Sequence, residues 1–132
     1  MRLALITLTE EGLRVAERLK RNLGEDADLF LSERLCQQES RERPHARPFS
    51  NGVRALVNDI FGKYEGLVFI MAVGIVVRAI APHLKDKFSD PAVVAVDDAG
   101  RFAVSIVSGH EGGANDLALE VANILHGEAV IT

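Results

Sequence analysis

The sequence predicts an α/β fold: a three-layer α/β/α domain with a mixed, mostly parallel sheet containing one β-hairpin. Three observations carry this. Short apolar runs alternate with stretches of helical periodicity, the pattern of a sheet covered on both faces. The runs read as near-continuous Val, Ile, Leu and Ala, which suits strands buried on both sides. One pair of runs, 92–96 and 102–107, is joined by only Asp97-Asp98-Ala99-Gly100 and a following Arg101, a link too short for a parallel crossover.

Leu3 to Leu8 is the first strand run, and Thr9 follows as a helix cap with Glu10 and Glu11 near the positive helix end. Leu13, Ala16, Leu19 and Leu23 recur at helical spacing, and Gly24 supplies the stop. Ala27 to Leu31 reads as the second strand. From Ser32 to Ser50 periodicity is lost among Arg34, Arg41, Arg43, Arg47, His45, Pro44 and Pro48. This stretch is expected to be a long loop, either mobile or a lid whose arginines meet anionic groups. Helical pattern resumes at Asn51, with Val53, Leu56, Val57, Ile60 and Phe61 on one face. Leu67 to Met71 is a strand, and Gly74 opens a helix that Pro82 stops near Ala81. After the hairpin, Ala114 to His126 is helical, with Leu117, Val121, Ile124 and Leu125 on one face and Gly127 ending it. Ala129 to Ile131 begins a last strand.

Composition narrows the function classes. The 132 residues fit one domain, residues 1–132. The net charge of −4 argues against nucleic acid as the main partner, since such proteins usually carry a basic face. The single cysteine, Cys36, permits no internal disulfide and fits a reducing cytoplasm. The most apolar window, Gly66 to Val77, is broken by Arg78 and falls short of the ~20 residues of a membrane span. Neither a nucleic-acid nor a membrane partner is expected. A strand run so close to Thr132 suggests the first domain of something longer, or a short stand-alone version of it.

Chemistry concentrates in residues 108–116, SGHEGGAND. A zinc-protease reading needs a second histidine where Ala114 stands. A nucleophile elbow needs glycine where Ile106 stands. A phosphate-loop lysine is absent. What remains is a strand, a glycine-rich turn and a helix start, which can present amides to a carboxylate or oxyanion. His110 can exchange protons near neutral pH, or it can be an ordinary turn residue. Asn115 and Asp116 suit helix caps, and Glu111 suits a solvated acid. In open α/β sheets ligands bind at the carboxyl ends of strands, and the loop is expected there. The second segment, MAVGIVVRAIAPHL (71–84), places Gly74 and Arg78 one helical turn apart. A lone Arg on an apolar helix calls for an acid or an anionic ligand. Asp97 and Asp98 are turn residues by preference. The four histidines, 45, 83, 110 and 126, show no metal-ligand spacing.

Residues 74–118, with Gly74, Arg78, Ala81-Pro82, Lys87, Asp90-Pro91-Ala92-Val93, Asp97, Gly100, Ser108-Gly109-His110 and Gly112-Gly113-Ala114-Asn115, resemble the CbiG family. These are the cobalt-precorrin-5A hydrolases of anaerobic cobalamin biosynthesis. ITLTEEGLRVAERL (6–19) is similar to the family's first strand and helix. The resemblance covers nearly the whole chain outside 32–50 and corresponds to an N-terminal part of longer proteins. It implies hydrolysis of the ring-A δ-lactone of a cobalt-bound tetrapyrrole, with acetaldehyde released. His110 is then the candidate catalytic base. Gly74, Arg78, Lys87, Ser108, Gly109, Gly112, Gly113 and Asn115 are the candidate substrate-binding residues and share one cleft. No protein metal or cofactor is implied, because the cobalt belongs to the substrate. A C-terminal domain or a second copy of the chain are the partners to expect. Glu111 stands where the family often has an apolar residue.

Two other readings stay open: a non-catalytic module binding a tetrapyrrole or anion for a partner, and a flavodoxin-like carrier of a nucleotide or flavin. The last is weakest, with one tyrosine, no tryptophan and no dinucleotide fingerprint.

Overall fold

Buried strands with both faces covered need helices above and below them, and the chain supplies both layers. The computed structural model describes residues 1–38 and 45–132. The strands are β1 (Leu3–Thr7), β2 (Ala27–Ser32), β3 (Ala46–Phe49), β4 (Gly66–Ile70), β5 (Ala92–Val96), β6 (Phe102–Val107) and β7 (Glu128–Val130). The helices are α1 (Glu10–Leu23), α2 (Glu33–Gln38), α3 (Gly52–Ile60), α4 (Val73–Ile80) and α5 (Ala114–Leu125). Among the described residues the sheet order is β3-β2-β1-β4-β5-β6-β7. Strands β1 to β5 run parallel, β6 is antiparallel to β5, and β7 is parallel to β6.

Strand alternation divides the core in two. Leu3 and Leu5 of β1 join Leu13, Ala16 and Leu19 of α1, Leu35 of α2, and Leu117 and Val121 of α5. Ala4 and Ile6 face the other way, with Val53 and Val57 of α3 and Val76 and Ile80 of α4. The expected three layers and hairpin are both present.

Local signals act as their chemistry dictates. Thr9 Oγ1 accepts from Gly12 N at 2.9 Å, and Gly24 leaves α1 at φ +67°. Pro82 sits in a single 3₁₀ turn, Ala81–His83, directly after α4. The loop expected at 32–50 is overturned at both ends, because α2 and β3 occupy them. Leu35 and Phe49 anchor these elements in the two cores. Pro48 is accommodated because β3 is an edge strand, where a missing amide costs no ladder bond. Arg41, Arg43 and Pro44 lie outside the described residues. Among the described residues no helix is long and apolar enough to cross a membrane.

Candidate functional site

The hairpin decides where the chemistry lies. Because β6 runs back against β5, pairing Val96 with Ala103 and Val93 with Val107, β6 ends where β4 and β5 begin. Loop 108–113 therefore sits at the amino edge of the parallel strands. Ser108 Oγ donates to Asp90 O at 3.2 Å, just before β5, and a Cβ on Gly113 would meet Met1 Cε at 3.3 Å. The expectation that this loop crowns the carboxyl ends is corrected. Gly74 and Arg78, which follow β4, are at the opposite edge. A five-residue strand separates the two edges by roughly 15 Å. The structure thus does not bring Gly74 and Arg78 into one cleft with His110.

The glycine loop packs chiefly on itself. Ser108 is buried with φ +60°. A Cβ on Gly112 would lie 2.4 Å from Ser108 Cβ, and one on Gly109 would lie 2.7 Å from Asn115 Oδ1. Ala114 N donates to Ser108 O at 3.0 Å, and Asn115 N donates to Gly109 O at 2.9 Å. These are two of the four amides that a helix start leaves without intrahelical acceptors. The loop's own carbonyls therefore close part of the expected cradle. Asn115 lies against Gly109 rather than capping the helix; the residue at the α5 cap is Gly113, at φ +86°. His110 and Glu111 are exposed. Among the described residues no hydrogen bond orients the His110 ring.

Lys87 does share this edge with the glycine loop. It lies in the segment between the 3₁₀ turn and β5, with its Nζ 5.2 Å from the Phe88 ring centroid. A cavity of about 380 Å³ opens here, bordered by Tyr64, His83, Lys85, Phe88, Asp90 and Gly112. His83 Nε2 is hydrogen-bonded to Asn58 Oδ1 at 2.7 Å, and its ring stacks on Phe61 at 5.3 Å. Further along the same edge, Asp28 Oδ2 accepts from Tyr64 Oη at 2.6 Å and Arg2 Nη2 at 2.7 Å, and Arg47 Nη2 is 3.4 Å away. Burial, the hydrogen bond to Asp28 and the Asp28 charge push the Tyr64 hydroxyl above its ordinary pKa, against the pull of Arg47 and Arg2. Sequence reading missed this cluster, whose members come from four separate segments. Its one local signal was the chain's single tyrosine.

At the carboxyl edge, Arg78 is exposed, donates to Gly74 O at 3.3 Å, and has no carboxylate partner among the described residues. An open groove of about 540 Å³ lies beside α4, lined by Met71, Val73, Val104 and Val130, with Asp97 and Asp98 at its rim. Asp97 is a turn residue, as expected. Its carboxylate accepts from Arg101 N and Phe102 N at 2.8 Å each, Ala99 N at 3.3 Å and Arg101 Nε at 3.2 Å. Partial burial raises its pKa, but these hydrogen bonds outweigh that and hold it below the ordinary value. Among the described residues no three His, Cys, Asp or Glu side chains converge as a metal site would require.

Comparison with known proteins sets this geometry in a family. The family described as cobalamin synthesis G, N-terminal, matches residues 55–132, which hold the cavity and the glycine loop. The chain belongs to the CbiG N-terminal family. It is 41% identical over 129 residues to a cobalt-precorrin-5A hydrolase of Priestia megaterium, covering 98% of this chain and 34% of that protein. It is 42% identical over 130 residues to a cobalt-precorrin-5A hydrolase of Salmonella typhimurium (strain LT2), covering 98% of this chain and 35% of that protein. A solved structure described as a cobalamin biosynthesis protein G homolog from Sulfolobus solfataricus superposes with a TM-score of 0.69 at 27% identity, over 98% of this chain and 36% of that one. The CbiG N-terminal chain thus spans about a third of the length of the curated relatives it matches.

Proposed function

We propose that this chain is the N-terminal part of a cobalt-precorrin-5A hydrolase acting in the cytoplasm in anaerobic cobalamin biosynthesis. The supporting observation is the 41–42% identity to two such hydrolases over 98% of the chain. The substrate is a cobalt-containing tetrapyrrole that brings its own metal. The reaction opens the ring-A δ-lactone with release of acetaldehyde, giving cobalt-precorrin-5B. Water adds to the lactone carbonyl carbon and the ring C–O bond breaks, freeing a carboxylate and a secondary alkoxide. The alkoxide becomes the acetaldehyde carbonyl as its C–C bond to the macrocycle breaks, with that electron pair passing into the conjugated ring. His110 takes the proton from the attacking water, and backbone amides of the glycine loop steady the tetrahedral oxyanion.

The amino edge is the place for this chemistry, because His110, Ser108, Gly109, Gly112, Gly113, Asn115 and Lys87 meet there. Asn115 orients the loop through Gly109, and Lys87 meets a substrate carboxylate. Gly74 and Arg78 are left out of the contact by their position at the other edge.

One observation favours a second reading for the chain in isolation. A general base is normally held by a hydrogen-bonded neighbour, and exposed His110 has none among the described residues. By itself the chain then binds tetrapyrrole or another anion without turning it over, and a further domain or a second copy completes the site. Acetaldehyde should be measured with cobalt-precorrin-5A, using this chain alone and joined to the remaining two thirds of the Priestia megaterium relative. Release by the joined form, slowed by roughly 10²–10⁴ in His110→Ala with corrinoid binding kept, is the expected result. Wild-type turnover by His110→Ala reduces His110 to a turn residue.

A further inference from the structure

We propose that Phe88 and Lys85, at the mouth of the amino-edge cavity, form a docking platform for the macrocycle and a peripheral carboxylate of a polycarboxylated tetrapyrrole. This rests on the corrinoid reading above and adds a binding surface beside the glycine loop. Three observations converge on it.

The first is an aromatic ring out of place. Phe88 is 72% exposed, the most exposed of the large apolar side chains among the described residues. It borders a cavity of about 380 Å³, and its loop is held in shape rather than hanging free. Asp86 Oδ1 accepts from Phe88 N at 2.8 Å and Ser89 N at 2.9 Å, Asp86 Oδ2 accepts from Ser89 Oγ at 2.9 Å, and Ser108 Oγ ties Asp90 to the glycine loop. A solvent-facing ring on a loop held in shape offers stacking area, and an aromatic side chain has few torsions to order.

The second is the distribution of charge. Three carboxylates at this mouth, Asp90, Asp86 and Glu65, are already engaged. Both oxygens of Asp90 accept from Lys85 N at 3.0 Å, Asp86 holds the turn, and Glu65 Oε1 accepts from Arg2 N at 2.9 Å. The cations are not so held. The Lys85 ammonium acts on the Asp86 carboxylate only at longer range, with no hydrogen bond or close ion pair among the described residues, and Lys87 lies over the Phe88 ring at 5.2 Å. Acids spent on backbone amides, and ammoniums without a close carboxylate beside an exposed ring, match a flat, apolar ligand with an anionic rim.

The third is the contrast with the larger groove at the carboxyl edge, which is lined by exposed Asp98 and the Asp97–Arg101 ion pair and holds no lysine among the described residues. A polyanion meets the Asp98 carboxylate there and the Lys85 and Lys87 ammoniums here.

The test is an absorbance titration of the full 132-residue chain with cobyrinic acid, a cobalt corrinoid whose side chains are free carboxylates, and with its fully methyl-esterified form. Wild-type chain should bind the acid more tightly than the ester, increasingly so at low salt. Phe88→Ala should weaken acid binding at least about fivefold, with Phe88→Tyr restoring it. Lys85→Ala should weaken it roughly two- to fivefold, with Lys85→Arg restoring it. Both residues are exposed, so circular dichroism should match wild type. Equal binding of ester and acid, or wild-type affinity in both alanine variants, overturns the platform while leaving the corrinoid reading in place. Failure of wild type to bind either corrinoid overturns the corrinoid reading itself, and the platform with it.

Discussion

Gly112 shows how much a single missing methyl can decide. Its Cα faces Ser108 so closely that an added Cβ would also lie 3.0 Å from Ser108 O, which is backbone and cannot swing aside. Ser108 is itself held at positive φ, where side chains other than glycine are strained. Gly112→Ala must therefore push apart two backbone segments that carry the start of α5. An overpacking cost of about 1–3 kcal/mol is expected, read as a lowered midpoint in urea unfolding. An unchanged midpoint would mean that the loop opens freely at Ser108. The glycines that drew attention as an anion cradle thus have a packing reason too: Gly109 makes room for Asn115, and Gly112 for Ser108. That part was illegible in the sequence, since close approach between residues several positions apart leaves no periodic signal.

Elements were legible wherever burial imposed a period. The strand runs and the helices around Leu13, Leu56 and Leu117 follow from apolar spacing alone, because both sheet faces are covered. Helix α2 and strand β3 were not legible. Each buries few side chains, such as Leu35 or Phe49, and shows solvent charged residues such as Arg34 and Arg47. At the edge of a sheet, pairing with one neighbour suffices without an apolar pattern. The β5–β6 hairpin was legible through its turn, and the structure adds why the turn is firm. The Asp97 carboxylate, held below its ordinary pKa, gathers donors from Ala99, Arg101 and Phe102. A depressed carboxylate contributes stability that is fully present above its unfolded pKa of about 3.9 and is lost as pH falls through its lower folded value. Stability measured by urea unfolding should therefore decline from about pH 4 downward. Asp97→Asn should start lower at neutral pH and decline less steeply over that range. Parallel pH profiles for the two proteins would show that the Asp97 charge contributes nothing to the hairpin.

At the scale of the whole molecule, one reversed strand sorts the candidate residues. Had β6 run parallel to β5, loop 108–113 would have joined Gly74 and Arg78 at the carboxyl edge. The sequence reading recognised the hairpin yet kept the parallel-sheet rule for the loop after it, and so expected one cleft. Reversal instead groups Lys87 with the glycine loop and leaves Arg78 on the far side, at the edge where the Asp98- and Arg101-lined groove opens. A rigid sheet separates the two edges, and the energetic effects of substitutions more than ~7–10 Å apart with no shared partner add independently. Lys87→Ala should weaken cobyrinic acid binding roughly two- to fivefold, the effect of an exposed ion pair worth about 0.2–1 kcal/mol. Added salt should diminish that difference. Arg78→Ala should leave the affinity within twofold of wild type, and the double variant should match Lys87→Ala. Titrations of the three variants at two ionic strengths decide it. If Arg78→Ala loses as much as Lys87→Ala, and the losses do not simply add, the ligand touches both residues, and tetrapyrrole binding must be moved to a surface that reaches the carboxyl edge.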